Sequence, residues 1–188
     1  EGRIANRSYV IAPDGRIAAR YDKIHMFDVD LGTGEAYRES EAYAPGGSAI
    51  ITELPWGGLG LTICYDLRFP GLHRALAKGG AKFIASPAAF TRITGEAHWH
   101  TLLRARAIET QCFVFAANQG GMHENGRETF GHSLIISPWG EILAEAGQDP
   151  CVITADIDLT ILNDARRRVP SLTHDRAFEV VHIPNPAS

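Results

Sequence analysis

In the stretch Gly60-Leu-Thr-Ile-Cys64-Tyr-Asp-Leu-Arg-Phe-Pro70, a predicted strand leads through a turn into a predicted helix. The apolar run from Leu59 to Ile63 is typical of a short buried strand. Pro70 then begins an amphipathic segment that ends at Gly79-Gly80, so the helix has both a start and a stop signal. The sequence therefore predicts that Cys64 lies where the strand ends and the turn begins.

A cysteine in such a turn is a candidate nucleophile. The strand holds it rigidly, and the backbone N–H groups of the turn can face an oxyanion. The alternative is a structural cysteine, since free cysteine is among the most buried residue types. Position alone does not separate the two interpretations, so the neighbouring motifs have to decide.

The composition is that of an ordinary folded domain, and we expect one domain over residues 1–188. The chain is 45% hydrophobic and 21% charged, which allows one sizeable core. A net charge of −4 without a basic stripe argues against a nucleic-acid partner. No apolar run approaches the roughly 18 residues that a bilayer span requires, so we expect no membrane partner. Three cysteines without close pairing suit a reducing compartment, and we expect a cytoplasmic protein.

Short apolar runs and hairpin signals alternate with helical patterns along the chain, which predicts an α+β fold. Pro13-Asp14-Gly15 and Pro55-Trp-Gly-Gly58 each indicate a hairpin turn. Helical spacing is expected from about Thr94 to Gln111, and Asp158 is a good N-cap for a last helix. Further strands are predicted at residues 82–86, 112–117, 133–137, 141–144 and 152–157. The cysteines Cys112 and Cys151 open two of these runs, and we expect both to lie in the core.

Several motifs in the same order resemble the nitrilase superfamily of carbon–nitrogen hydrolases. They are Arg20-Tyr-Asp-Lys23-Ile-His, Tyr37-Arg-Glu39-Ser40, the stretch around Cys64, Ser86-Pro-Ala-Ala-Phe-Thr91 and Arg127-Glu-Thr-Phe-Gly-His-Ser133. The resemblance covers nearly the whole chain. It implies a four-layer α-β-β-α sandwich, here without its N-terminal strand and helix, and a Glu–Lys–Cys catalytic triad.

The resemblance assigns the lysine and cysteine of the triad to Lys23 and Cys64. A thiol near its usual pKa of about 8.5 supplies little thiolate unless a cation is close, and Lys23 can be that cation. Lys23 and the backbone N–H of Tyr65 are the expected oxyanion donors. Glu39 matches a second glutamate of the family that holds the lysine, although Glu35 and Glu41 are close enough in sequence to leave the choice open.

The third member of the triad is a general-base glutamate that, in the family, lies well before the lysine. Glu1 stands in the wrong local context for that role. We therefore expect the domain to be N-terminally incomplete and the chain as given to have little or no activity.

Arg68, Arg92 and His98 are candidate ligands for a substrate carboxylate, because each is a cation after a strand end or at a helix start. Structural or solvated roles are equally compatible with their positions. His98 and His100 are too close in sequence to share a helix face, and no partner has metal-ligand spacing, so no metal is expected. The resemblance implies no cofactor.

Within the superfamily, residues 94–99, 104–111 and 127–133 look most like the deaminated glutathione amidase branch, with the ω-amidases next. Both branches imply hydrolysis of an amide in a small carboxylate-bearing molecule. We also expect a homodimer or a higher homo-oligomer.

Three alternatives stay open. Other amidase branches of the superfamily share the mechanism. A non-catalytic binding domain is an alternative of another class, because the general-base glutamate is missing. An unrelated Asp–Lys–Cys hydrolase of the isochorismatase type needs an aspartate well before the lysine, and Asp14 on a hairpin turn is a poor candidate.

Overall fold

The computed structural model describes residues 2–32, 34 and 36–185 of the chain. Its elements follow in this order: β1 (Arg7–Ile11), β2 (Ile17–Asp22), β3 (Asp28–Asp30), β4 (Ala36–Arg38), α1 (Glu39–Ala42), β5 (Ile51–Leu54), β6 (Gly57–Leu61), a 3₁₀ helix (Cys64–Arg68), α2 (Pro70–Lys78), β7 (Ala81–Ala85), α3 (Arg92–Thr110), β8 (Phe113–Ala116), β9 (Gly120–Met122), β10 (Glu128–Phe130), β11 (Leu134–Ile136), β12 (Ile142–Glu145), α4 (Leu159–Arg168) and a second 3₁₀ helix (Ser171–Thr173).

Six strands form the main sheet, in the order β12-β11-β8-β7-β6-β5. β6, β7 and β8 are parallel, whereas the other neighbouring strands are antiparallel. Parallel neighbours need a crossover connection, and α2 and α3 provide the two crossovers. The carboxyl ends of β6, β7 and β8 therefore meet at one edge of the sheet, and Cys64 follows β6 at that edge.

The helices α2 and α3 cover one face of the main sheet. Trp99 and Leu103 of α3 are fully buried there with side chains of three strands: Ile84, Val114, Leu134 and Ile136. Gly60 of β6 lets α2 approach closely, because a Cβ at this position would lie 3.1 Å from a terminal carbon of Leu76. The start and stop signals at Pro70 and Gly79 predicted α2 correctly.

The opposite face of the sheet carries the β1–β2 hairpin and α4. Tyr21 of β2 packs against Leu61 and Ile63, and Leu162 of α4 packs against Phe83 and Phe113. The predicted α+β class and the layered arrangement are confirmed. Within the part of the chain that the structure describes, the layers are the pair α2 and α3, the main sheet, and the β1–β2 hairpin together with α4.

Two predictions about the segment after β12 are wrong. The structure shows no strand at residues 152–157, and Cys151 is exposed rather than in the core. Ile153, Ala155 and Ile157 are half-buried in alternation, as the pattern indicated, but the segment pairs with no strand among the described residues. Alternation predicts which side chains face inward, whereas a strand also needs a neighbour to accept its hydrogen bonds.

No helix among the described residues has both the length and the apolar composition that a bilayer crossing requires.

Candidate active site

Cys64 begins the 3₁₀ helix and has a φ of 49°, in the left-handed region that non-glycine residues rarely adopt. Its backbone N–H donates to the Pro87 carbonyl at 2.9 Å, which fastens the turn to the segment after β7. The predicted position at the end of a strand is thus observed, with a sharper turn than the sequence indicated. Such outliers cluster at functional sites, because the surrounding structure must hold them in place.

Asp66 fastens the Cys64 turn to the segment that carries Lys23. Its buried carboxylate accepts hydrogen bonds from the Tyr21 hydroxyl at 2.6 Å, the His25 ring at 2.8 Å and the Ile63 backbone N–H at 2.9 Å. Tyr21 and His25 lie on either side of Lys23. Sequence reasoning gave Asp66 no role, although a carboxylate directly after a buried apolar strand was a usable signal.

Lys23 is buried, with 2% of its side chain exposed, and its ammonium lies 2.5 Å from a carboxylate oxygen of Glu39. Glu39 also accepts hydrogen bonds from the Asn6 side chain at 2.9 Å and the Phe27 backbone N–H at 2.7 Å. Of the three glutamates considered for this position, Glu41 is exposed on α1. The other candidate, Glu35, lies outside the described residues, as does Glu1.

The hydrogen bonds to Glu39 together change its pKa more than its burial does. Burial alone raises the pKa of this carboxyl, but the donors Lys23, Asn6 and Phe27 together lower it below its usual range. Glu39 is therefore an ionised carboxylate and a poor proton acceptor. This geometry suits a residue that holds the lysine in place.

Cys64, Lys23 and Glu39 all line one cavity of about 670 Å³. The cavity lies at the carboxyl ends of the parallel strands: Cys64 follows β6, residues 87–89 follow β7, and Gln119 follows β8. Clefts at this edge of an open α/β sheet are the usual place for ligands, and the volume falls in the range typical of small-molecule sites.

Burial raises the pKa of the Cys64 thiol, and this effect exceeds three opposing ones. The Lys23 ammonium, a backbone hydrogen bond from Ala89 and the Arg127 guanidinium each lower that pKa. The Lys23 charge therefore lowers this pKa, as expected, but burial is the larger effect. The resting residue is a thiol, and a thiol becomes a nucleophile only when a base removes its proton.

Arg127 is a cation of the cavity wall that the sequence did not single out. It donates a hydrogen bond to the Ala89 carbonyl, and its guanidinium lies 5.3 Å from the centre of the Tyr37 ring. Its Nε is buried without a hydrogen-bond partner among the described residues. Arg127 stands in a quoted motif, but only the folded chain brings it beside Cys64.

Aromatic rings connect the elements around the cavity. Phe27 contacts both Tyr37 and Tyr65, with ring centres 5.0 Å apart in each pair. Tyr65 in turn meets Phe69, which stacks on His25 at 3.5 Å. The predicted oxyanion donor, the Tyr65 N–H, comes directly after Cys64 in the first turn of the 3₁₀ helix, where N–H groups lack partners within the helix.

Comparison with known proteins identifies the family of this chain. A family model described as carbon–nitrogen hydrolase matches residues 1–167. The chain belongs to the carbon–nitrogen hydrolase family. This is the superfamily that the motifs around Lys23 and Cys64 indicated.

Individual relatives of this carbon–nitrogen hydrolase agree with the assignment. The deaminated glutathione amidase of Yersinia enterocolitica is 49% identical over 92% of this chain and 61% of its own length. The omega-amidase NIT2 of Xenopus tropicalis is 40% identical over 90% of this chain and 61% of its own. The crystal structure of the Caenorhabditis elegans NitFhit protein matches with a TM-score of 0.82 at 41% identity, covering 93% of this chain and 43% of that one. The chain spans about three fifths of the length of the two amidases.

The three predicted carboxylate ligands are not among the described residues that line the cavity of this carbon–nitrogen hydrolase. Arg92 is paired with Glu96 and Glu128 on the surface. Arg68 lies 3.3 Å from the His98 ring, and its guanidinium faces Phe90. A role of Arg68, Arg92 or His98 in substrate binding stays a prediction, and Arg127 is the better-placed cation.

Proposed function

We propose that this chain belongs to an amidase that hydrolyses the C–N bond of small carboxylate-bearing amides through a thioester on Cys64. One observation carries the proposal: a buried Lys23–Glu39 ion pair shares a cavity with a cysteine held at a positive φ. Burying a lysine ammonium costs free energy unless its charge is paired, as it is here with Glu39. The cavity beside this pair is large enough for a small substrate. Membership of the carbon–nitrogen hydrolase family supports the same chemistry.

The proposed reaction begins when the Cys64 sulfur attacks the amide carbon. A base takes the thiol proton, and the carbonyl oxygen becomes an oxyanion that the Lys23 ammonium and the Tyr65 N–H stabilise. The C–N bond then breaks, the base returns the proton to the departing ammonia, and a thioester remains on Cys64. Water adds to the thioester carbon and its proton goes to the base; the C–S bond then breaks, the carboxylic acid leaves, and the base returns the proton to the Cys64 sulfur.

The proton carrier in this reaction has to be a carboxylate with a usable pKa. Glu39 accepts three hydrogen bonds and has a lowered pKa, so we assign it to positioning Lys23. In the family pattern the carrier is a glutamate on the N-terminal side of the residue that Glu1 matches, and we assign proton transfer to that residue. General acid–base help of this kind is worth about 10²–10⁴ in rate.

Arg127 is the residue that we assign to a substrate carboxylate. Two other arginines of the cavity wall are already engaged: Arg7 pairs with Asp22, and Arg38 donates to the carbonyls of Val29 and Tyr37. Arg127 keeps a buried Nε that a carboxylate can satisfy. The names of the relatives make a deaminated-glutathione-type amide our first choice of substrate and an ω-amide our second.

The test is ammonia release by the intact protein that contains this chain, supplied with both classes of amide. We expect Cys64→Ser to abolish release, and Arg127→Gln to lower kcat/KM by about 10–100-fold, since a charged hydrogen bond is worth roughly 1.5–3 kcal/mol. Arg167→Gln, at an exposed side chain of α4, is the matched control and should leave kcat/KM unchanged. A larger loss in Arg92→Gln than in Arg127→Gln would contradict our assignment. Tight binding of these amides without ammonia release would favour a non-catalytic binding domain.

We also propose a cytoplasmic homodimer or higher homo-oligomer. All three cysteines are free, as a reducing compartment would keep them. Size-exclusion chromatography with light scattering on the intact protein tests the assembly, and a monomer at micromolar concentration would contradict it.

A further inference from the structure

A second group of chemically competent side chains lies outside the Cys64 cavity. It consists of His100 in the middle of α3, His132 in the turn before β11, and Glu145 at the end of β12. The His100 Nε2 and the His132 Nδ1 each lie 2.9 Å from the same Glu145 oxygen. All three donor atoms lie within 4.8 Å of one another. Three separate elements therefore direct their side chains to one point.

The donor set matches that of a zinc-type site. Two imidazole nitrogens and one carboxylate oxygen bind zinc at about 2.0–2.2 Å, and two ligands of a tetrahedral ion then lie roughly 3.4 Å apart. The two 2.9 Å separations to Glu145 would open by about half an ångström to meet that geometry, and the two imidazole nitrogens, which lie within 4.8 Å of each other, would settle at the same spacing. The side chains are 33%, 29% and 37% exposed, which leaves one side open for a water ligand.

His132 is held in its position independently of the other two residues. Its φ is 54°, its N–H donates to the Gly147 carbonyl at 2.9 Å, and its own carbonyl accepts the Trp99 indole N–H at 2.7 Å. Its ring stacks on Phe130 with the ring centres 4.4 Å apart. A ligand whose backbone and ring are both fixed costs little to order when a metal binds.

A plain surface ion network is the competing explanation for this cluster. Exposed ion pairs contribute about 0–1 kcal/mol, so a network of this kind would add little stability. The two histidines also share a single carboxylate oxygen, so they converge on one point instead of spreading over the carboxylate. That convergence is what a shared metal ion requires.

We propose that His100, His132 and Glu145 bind one divalent transition-metal ion of the zinc type. The ion would tie α3, β12 and the turn before β11 together at a place apart from the Cys64 cavity, because these three residues are not among those that line it. From the sequence no metal was expected, because His98 and His100 point to different faces of a helix and no partner has metal-ligand spacing. The partners of His100 are instead remote in sequence, with Glu145 lying 45 residues away.

Metal titration of the intact protein, after removal of bound metal with a chelator, tests this proposal. We expect one equivalent of Zn²⁺ to bind in calorimetry, with an increase in thermal stability. His100→Gln, His132→Asn and Glu145→Gln should each weaken binding by at least about 10-fold. Asparagine is chosen at position 132 because it tolerates the left-handed region. His98→Gln, an exposed histidine of the same helix, is the matched control and should bind as the wild type does.

Cobalt substitution identifies the donor atoms, because cysteine thiolates give an intense near-ultraviolet charge-transfer band that histidine and carboxylate ligands do not. We expect visible d–d bands of a four-coordinate ion without that charge-transfer band. Unchanged Zn²⁺ affinity in the His100→Gln/His132→Asn double variant would overturn the proposal, as would thiolate bands or a lack of stoichiometric binding. Melting curves in chelator establish that each variant is folded.

Discussion

At the scale of single residues, Cys64 is governed by opposing electrostatic effects. Burial keeps its sulfur protonated at rest, while the Lys23 ammonium and the Arg127 guanidinium favour the thiolate. A buried, protonated thiol reacts little with other compounds. It becomes a strong nucleophile when a base takes its proton, because the nearby cation stabilises the thiolate. The buried carboxylate of Asp66 fixes the position of Cys64 relative to Lys23, because it accepts hydrogen bonds from residues next to each of them.

The pH dependence of Cys64 alkylation reports this balance. The pKa of the thiol is raised above its usual range, so its labelling by iodoacetamide should increase only at alkaline pH. Lys23→Met removes a charge that lowers this pKa and should move the midpoint of labelling to a still higher pH. Peptide mapping by mass spectrometry measures the labelling of Cys64.

Lys78→Met, at an exposed position on α2, is the matched control and should leave the midpoint for Cys64 where it is. A midpoint that stays constant or falls in Lys23→Met would show that the Lys23 charge does not act on the sulfur. Far-ultraviolet circular dichroism of each variant separates a change of fold from a change of charge.

At the scale of elements, close contact between α3 and β10 depends on Gly95. A Cβ at this position would lie 2.3 Å from the Cβ of Phe130, so the helix and the strand would have to separate. We expect Gly95→Ala to destabilise the protein by about 1–3 kcal/mol. Gly71→Ala in α2 is the matched control, because its Cβ would meet nothing within 4 Å.

For Gly71→Ala we expect a gain of up to about 1 kcal/mol, since alanine has the higher helix propensity. Urea denaturation of both variants provides the measurement. A shift of both midpoints in the same direction would contradict the close packing that we assign to Gly95.

His73 gives α2 a pH-dependent stability. Its Nδ1 donates to the Phe69 carbonyl at 3.1 Å, its Nε2 is buried without a partner among the described residues, and burial lowers its pKa to about 4. The unfolded chain takes up a proton near pH 6.5, well before the folded chain does. The stability that His73 contributes is therefore present above about pH 6.5 and is lost as the pH falls towards 4.

We expect this loss to be about 3 kcal/mol between pH 6.5 and pH 4. His73→Asn keeps a donor for the Phe69 carbonyl and should flatten the stability profile over that range. Urea midpoints measured at several pH values test the expectation, and an equally steep profile in the variant would refute it.

At the scale of the whole molecule, the site is assembled from segments that are far apart in sequence. The cavity needs the turns after β6, β7 and β8 and the Lys23 segment, which the β1–β2 hairpin places against the sheet. The site therefore forms only when the parallel strands are in register. Substitutions that destabilise the packing of the parallel strands should lower activity together with the free energy of unfolding.

Local signals account for what the sequence predicted well. Pro70 and Gly79 mark the start and the end of α2, and Asp158 caps α4 by accepting the Thr160 N–H at 2.8 Å. The apolar run before Cys64 placed the cysteine at a strand end. The predictions at Cys151 and residues 152–157 failed because burial and strand pairing depend on distant neighbours. For the same reason, no local pattern revealed that Arg127 approaches Cys64.

The central claim is that Cys64 carries the acyl group of the substrate in the Lys23–Glu39 cavity. Mass spectrometry of the intact protein, quenched during turnover of a carboxylate-bearing amide, tests it most directly. We predict an adduct with the mass of the acyl group on the peptide that contains Cys64, which hydroxylamine removes. It should be absent in Cys64→Ala, and it should form about 10²–10³-fold more slowly in Lys23→Met. Continued ammonia release by Cys64→Ala, or turnover with the acyl group on another residue, would contradict the account.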